Sequence, residues 1–232
     1  MSNVASVSRP FTWWGFLPFA AVSAIHVIGN FFPGWPGDNF TKLLLIPMLV
    51  LAVMWSARGA NLRDRSILST LTWLLVALAF SWLGDGAATF FPALPTLPVM
   101  LGAFGVTHLI YIWLFWKKLA VRRLPIWTLV YAAWWITLLA ILLPHTGSLA
   151  IAVALYGLVL GGTATLAARC NPLIVWGAVL FLTSDSVLAF RLFLPDLMPL
   201  WTSPLVMLTY CAGQALIAAG IVKVLRADRS SA

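Results

Sequence analysis

The chain has 232 residues, 62% of them apolar or aromatic and 9% charged, against about 25% charged in an ordinary soluble domain. Mean hydropathy is +0.99. So little polar surface excludes a water-soluble enzyme and a disordered chain, and unbroken apolar runs exclude the alternating strands of a β-barrel. A polytopic α-helical membrane protein is what remains. The net charge of +8 does not point to nucleic acid. The basic residues form no single patch; they sit in short clusters between apolar runs, which is how membrane topology is set.

Eight runs are long enough to span a bilayer, at about 13–32, 40–57, 67–91, 97–116, 125–143, 148–168, 173–194 and 204–225. They predict an all-α bundle of eight transmembrane helices forming one domain, residues 1–232. The first run is too long for a signal-peptide core, and no small-x-small cleavage site follows it, so it reads as a retained helix. Pro, Gly and charged residues separate the runs, as in PGWPGDN at 33–39 and around Pro92, Pro95 and Pro98.

The charges then orient the bundle. Arg9 precedes the first run, and Arg58, Arg63 and Arg65 follow the second. Lys117, Lys118, Arg122 and Arg123 follow the fourth, Arg169 the sixth, and Lys223, Arg226 and Arg229 end the chain. These twelve of the fourteen basic residues fall on one side, while Asp38, His145 and Asp196 fall on the other. The positive-inside rule places both termini in the cytoplasm of a cell membrane, here read as a bacterial inner membrane. Lys42 and Arg191 are left over, both in the outward halves of their segments. Cys170, at a segment end, and Cys211, inside another, are not expected to form a disulfide.

Some polar residues have no role in topology. Asp85 lies late in the third run, in FSWLGD, and Asp185 well inside the seventh, in FLTSD. An ionised group at mid-bilayer costs roughly 2.5–3.5 kcal/mol on insertion scales, so such residues face a polar cavity and have partners. His108 and Tyr111 share a helical face, as do Tyr210 and Gln214. Ser81 is one turn before Asp85, and Ser184 adjoins Asp185. With Lys42 and Arg191 near the same end, all of these predict one polar pocket in the outward half. His26 and His145 read as structural or interfacial, Gly157–Gly161 as a close-packing stretch, and the Trp residues as mostly lipid-facing. FSWLGD with THLIY (107–111), and FLTSD with TYCAGQ (209–214), recur at an offset of about 100 residues, the mark of a 4+4 internal repeat with parallel halves.

Two carboxyl groups in one low-dielectric pocket do not titrate alike, and the split supplies a general acid and a general base. A lipid with a polar headgroup is the substrate that reaches such a pocket, its phosphate pairing with Lys42 or Arg191. There is no GxSxG, HExxH or cysteine cluster, and three scattered histidines make a poor zinc site. A proton-coupled transporter using the same aspartates, a lipid-binding membrane protein, and a structural protein with merely bridged aspartates are the competing classes.

The ordered set TKLLLIPML, FSWLGD, GAFGVTHLIY, LYGLVLGGTA, GAVLFLTSDSVLAF and LTYCAGQALIAAG resembles the YhhN family of eight-helix membrane proteins, whose characterised members are lysoplasmalogenases. The similarity runs from about residue 15 to 225 and is most specific at GD (84–85), SDSVLAF (184–190) and TYxxxQ (209–214). One departure is that Lys42 precedes Leu43 where the family commonly has Lys-Pro; the proline comes later, as Pro47. The resemblance implies hydrolysis of the vinyl ether of a lysoplasmalogen, a lysophospholipid, to a fatty aldehyde and glycerophosphoethanolamine or glycerophosphocholine. Asp85 and Asp185 would be the catalytic pair, with Lys42, Ser81, His108, Tyr111, Ser184, Arg191, Tyr210 and Gln214 around the substrate. No metal or organic cofactor is called for. Either aspartate could be the acid; Asp185, deeper and with no basic residue one turn away, is the better candidate. The sequence sets no oligomeric state.

Overall fold

The computed structural model describes residues 13–227, so Arg9 and Arg229 lie outside the described residues. Within them every regular element is helical. The α-helices are α1 (Leu17–Gly29), α2 (Asp38–Ala57), α3 (Arg65–Asp85), the one-turn α4 (Ala87–Phe90), α5 (Thr96–Lys117), α6 (Leu129–Thr146), α7 (Ala150–Ala167), α8 (Pro172–Phe193) and α9 (Thr202–Ala227). Each of them overlaps one of the apolar runs, α3 and α4 sharing the third.

Six stretches are long and apolar enough to cross a membrane, one of them the 42-residue Ile126–Ala167. As one helix that stretch would reach roughly 63 Å, about twice the hydrocarbon core. Gly147, at φ 53°, breaks it and returns the chain, so that α6 and α7 pack on each other. The shorter Trp13–Gly29 is apolar as well. The chain is therefore a multi-pass membrane protein.

Six helices close a ring in the order α2, α3, α5, α7, α8, α9 and back to α2. Outside it, α1 packs on α2 and α9, and α6 on α7 and α8. The tightest seam joins α8 to α9, because Gly177 and Gly213 face each other there. A Cβ at Gly177 would stand 2.7 Å from the Ile217 nitrogen and 2.8 Å from the Gly213 oxygen. These are backbone atoms that no rotamer change moves aside. In lipid, where apolar surface gives no preference for a protein neighbour, such close backbone approach is a main source of helix association. The Gly157–Gly161 stretch plays a different part: its glycines accommodate the Trp135 and Trp134 rings of α6, the Tyr131 carbonyl standing farther off, at 3.8 Å from a Cβ at Gly161.

A proline fixes a second seam. Pro47, inside α2, has no N–H to offer the carbonyl of Leu43 one turn earlier. The Trp82 indole of α3 donates to that carbonyl instead, at 2.9 Å. α2 thus stays continuous through Pro47, and the bond ties the Lys42–Leu43 region to the last turn of α3.

The third predicted segment, 67–91, is corrected. α3 ends at Asp85, and the chain turns at Gly86 into α4. The turn lets Phe90 fold back onto Trp82, ring centroids 4.6 Å apart, and a side chain at Gly86 would collide with the Phe90 ring. Asp85 is therefore the C-terminal residue of its helix, not a residue two turns inside it.

Among the described residues, the basic clusters gather at one end of the bundle. Arg58 and Arg63 lie between α2 and α3, Arg65 opens α3, and Lys117 closes α5. Arg122 donates to the Ala168 carbonyl at 2.6 Å and Arg169 to the Arg122 carbonyl at 3.2 Å, so two loops interlock there. His26 of α1 bonds Thr41 of α2 at 2.8 Å and is a buried inter-helix link, whereas His145 is exposed. Cys170 and Cys211 are both free and buried.

A Gly177→Ala protein should lose the α8–α9 seam, while Gly102, with open space around its would-be Cβ, tolerates alanine. Thermal unfolding in detergent should give a clearly lowered midpoint for the first and an unchanged one for the second.

Candidate functional site

At the end of the ring opposite the basic clusters, all six ring helices contribute to a chamber of about 140 Å³. Asp85 of α3 and Asp185 of α8 both face it, together with Lys42 of α2, Tyr156 of α7, Ser184 of α8 and Tyr210 of α9. The rest of the wall is apolar, with Leu97, Met100 and Leu101 from α5, Leu138 from α6 and Val153 and Leu160 from α7. A space of this size holds a few waters, at ~30 Å³ each in bulk, or the reacting part of a larger molecule.

Each carboxyl group is held by a tyrosine from a different helix. The Tyr210 hydroxyl donates to Asp85 at 2.6 Å. Asp85 needs such a donor, because the C-terminus of a helix carries partial negative charge and repels a carboxylate. The Tyr156 hydroxyl hydrogen-bonds Asp185. It also lies 3.4 Å from His108 Nε2, which is itself 4.0 Å from Asp185. His108 Nδ1 lies 3.2 Å from Thr163 Oγ1, and Thr163 donates to the Val159 carbonyl at 2.9 Å. The Thr163 oxygen thereby accepts from Nδ1–H, which leaves Nε2 as the acceptor facing Tyr156 and Asp185.

Beneath the chamber lies an aromatic floor. Phe181 packs against His108 at 4.8 Å and Tyr210 at 5.4 Å, and Phe104 against Tyr210 at 5.9 Å. Gly84 leaves room for Phe104: a Cβ there would meet the ring at 2.7 Å. Below the floor runs a directional chain of buried hydrogen bonds. Tyr111 donates to Gln214 Oε1 at 2.9 Å, and Gln214 Nε2 donates to Ser81 at 3.0 Å. Ser81 pairs with Thr107 at 3.2 Å, and Thr107 donates to the Ala77 carbonyl at 3.1 Å. These bonds tie α5, α9 and α3 together and hold the Tyr210-bearing turn of α9 next to Asp85.

The pocket expected from sequence is thus two layers and an annex. Asp85, Asp185, Lys42, Ser184 and Tyr210 stand on the chamber wall. Ser81, His108, Tyr111 and Gln214 are fully buried and lie behind the wall. Ser184 donates to the Val206 carbonyl at 2.9 Å, so its hydroxyl proton is occupied. Arg191 is in the annex, a recess of about 280 Å³ shared with Lys42, Asp38, Asn30 and Ser203. Lys42 borders both spaces, and with Leu188, Leu192, Val206 and Met207 it joins them.

Tyr156 does not stand out in the sequence. Its apolar, glycine-rich setting in LYGLVLGGTA reads as packing. The available signal was Thr163, seven residues on and so on the same helical face. Two polar residues on one face of an apolar helix mark a side turned toward partners.

Removing Gln214 takes a partner from two buried polar groups at once. Gln214→Leu should orphan the Tyr111 hydroxyl, at about 1–3 kcal/mol, and leave Ser81 its bond to Thr107. Differential scanning calorimetry in detergent should record a lower unfolding temperature, with Gln214→Glu less affected because it keeps the acceptor.

The YhhN family model matches residues 37–221, which is most of the chain. No curated protein and no solved structure matches it.

Proposed function

The chain belongs to the YhhN family, and from that membership together with the two-aspartate chamber we propose that it is a membrane-embedded lipid ether hydrolase acting on the vinyl ether of a lysoplasmalogen. The observation that carries the reading is the placement of Asp85 and Asp185 on one chamber wall beside an apolar surface. An enol ether is cleaved by protonation at carbon, so the site needs an acid, a group to offset the resulting cation, and room for water.

Asp185 is assigned as the acid. Its neighbours are the Tyr156 hydroxyl and the acceptor nitrogen of His108, with no basic side chain among its hydrogen-bond partners. Its proton goes to the ether-distal carbon of the double bond, and the oxygen-bearing carbon becomes an oxocarbenium ion. Asp85, which shares the wall with Lys42, stays ionised, faces the cation and takes a proton from the water that adds. The hemiacetal then collapses: Asp185, now a carboxylate, takes the hydroxyl proton, Asp85 gives its newly acquired proton to the departing glycerol oxygen, and a fatty aldehyde is released with both carboxyl groups back in their starting states. Two carboxyl groups with opposite protonation states divide the labour, as in glycosidases. Every step uses groups of the chain and water. The alkenyl chain lies along Leu97, Met100, Leu101 and Leu138, and the phosphate meets Lys42 and Arg191.

Several observations support the wider reading. Basic residues at the end opposite the chamber favour eight crossings with both termini cytoplasmic, and hence a chamber on the outer side of a cell membrane such as a bacterial inner membrane. The neighbour pattern also matches a 4+4 repeat, since α1·α2, α2·α3 and α3·α5 correspond to α6·α7, α7·α8 and α8·α9. A proton-coupled transporter would use the same aspartates but needs access from both ends. Here the chamber joins its annex at one end only, while toward the other Leu114, Phe115, Ile174 and Ile217 are fully buried.

Purified protein in detergent should release aldehyde from a lysoplasmalogen without any gradient. Asp85→Asn and Asp185→Asn should each lower the rate by at least about a hundredfold, the scale of a lost general acid or base, with the unfolding temperature preserved. Near-normal release from either variant would refute the assignment.

A further inference from the structure

Beyond the annex lies an outer basin of about 580 Å³, and it is chemically unlike the chamber. Asp38, Arg191, Asn30 and Ser203 border both annex and basin, and the basin adds Trp35 and Trp201. Passing outward from the two aspartates, the charged groups come in a fixed order: Lys42, at the junction, then Arg191 and Asp38. No ion pair joins these three among the described residues. Asp38 and Lys42 are four apart on α2 in the favourable acid-before-base order, yet Lys42 turns inward to the chamber and Asp38 outward to the basin.

The outer groups are held in place. Ser203 of α9 donates to Asn30 Oδ1 at 3.1 Å, and Asn30 Nδ2 donates to Asp38 Oδ1 at 3.0 Å. The carboxylate is half exposed on the basin side. Arg191 donates to Thr202 at 2.6 Å, which in turn donates to the Pro199 carbonyl. Trp35 is clamped by two glycines: a Cβ at Gly29 or at Gly37 would run into its ring. A fixed indole and a positioned carboxylate lining one basin are the pair of features that suits an ammonium group, through charge and through aromatic contact.

We propose that Asp38, backed by Trp35, binds the ammonium end of a zwitterionic headgroup whose phosphate lies between Lys42 and Arg191. The inference rests on the lysophospholipid reading above and deepens it. The order of groups along the path, which is carboxyl pair, cations, carboxylate and indole, is the order of vinyl ether, phosphate and ammonium along the ligand. Asp38 is then a specificity residue: it adds affinity for ethanolamine or choline headgroups and none for those that end in an uncharged alcohol.

Binding without turnover tests this. The probes are lysophosphatidylethanolamine and lysophosphatidylcholine, which carry an ester in place of the vinyl ether, and lysophosphatidylglycerol, which has the phosphate but no ammonium. Native mass spectrometry of the whole protein in detergent reads the affinities. Asp38→Asn keeps an acceptor for Asn30 and should bind the two zwitterionic lipids roughly three- to fivefold more weakly, the scale of a partly exposed ion pair. Its affinity for lysophosphatidylglycerol should stay unchanged, and that lipid reports the fold of the variant. Asp38→Glu should recover most of the loss, and Trp35→Leu should weaken choline binding selectively. Equal weakening for all three lipids, or none for any, would overturn the proposal. Failure to release aldehyde, with the headgroup selectivity intact, would instead count against the hydrolase reading alone.

Discussion

A carboxyl group inside an apolar bundle must be given a hydrogen-bond donor by the protein, because lipid supplies none. Asp85 and Asp185 meet that demand through tyrosines on other helices, Tyr210 and Tyr156. Each pair ties two ring helices together, so the carboxyl groups and the shape of the chamber are determined jointly. The same bonds leave one side of each carboxyl open to the cavity, where a substrate or water can reach it.

The remaining structure serves this arrangement. The Gly177–Gly213 contact draws α8 against α9 and so brings the Asp185 and Tyr210 helices together. The Trp82 bond to Leu43, made available by Pro47, sets the α2 turn bearing Lys42 against the end of α3 bearing Asp85. The buried chain from Tyr111 through Gln214 and Ser81 to Thr107 fixes α5, α9 and α3 below the floor. Polar groups are thus used sparingly, at seams that decide where the two aspartates stand, while the outer surfaces of the helices remain apolar.

Much of this was legible in the sequence, for physical reasons that also mark its limits. Long apolar runs announce membrane helices because the bilayer sets their length. Asp85, Asp185 and Tyr210 stand out because a polar group on such a background needs a partner. Hydropathy does not register a turn made of apolar residues, however, so it hides the stop of α3 at Gly86 and puts Asp85 too far inside its helix. Helical periodicity gives the face a side chain occupies, but not whether that face meets a cavity or a neighbouring helix. Periodicity therefore groups Ser81, His108, Tyr111 and Gln214 with the chamber, whereas they lie behind it. Tyr156 is inconspicuous because a tyrosine among glycines and leucines looks like packing. Arg191 belongs to the right end of the bundle but to the annex, a distinction of a few ångströms that spacing alone does not carry.

The most direct test of the account follows the transferred proton. When purified protein turns over a lysoplasmalogen in D₂O and the aldehyde is trapped at once by borohydride reduction, mass spectrometry should find one solvent deuterium on the carbon next to the former carbonyl, as protonation of the enol ether by a side-chain carboxyl requires. Aldehyde formed without that deuterium would contradict acid catalysis by the aspartate pair.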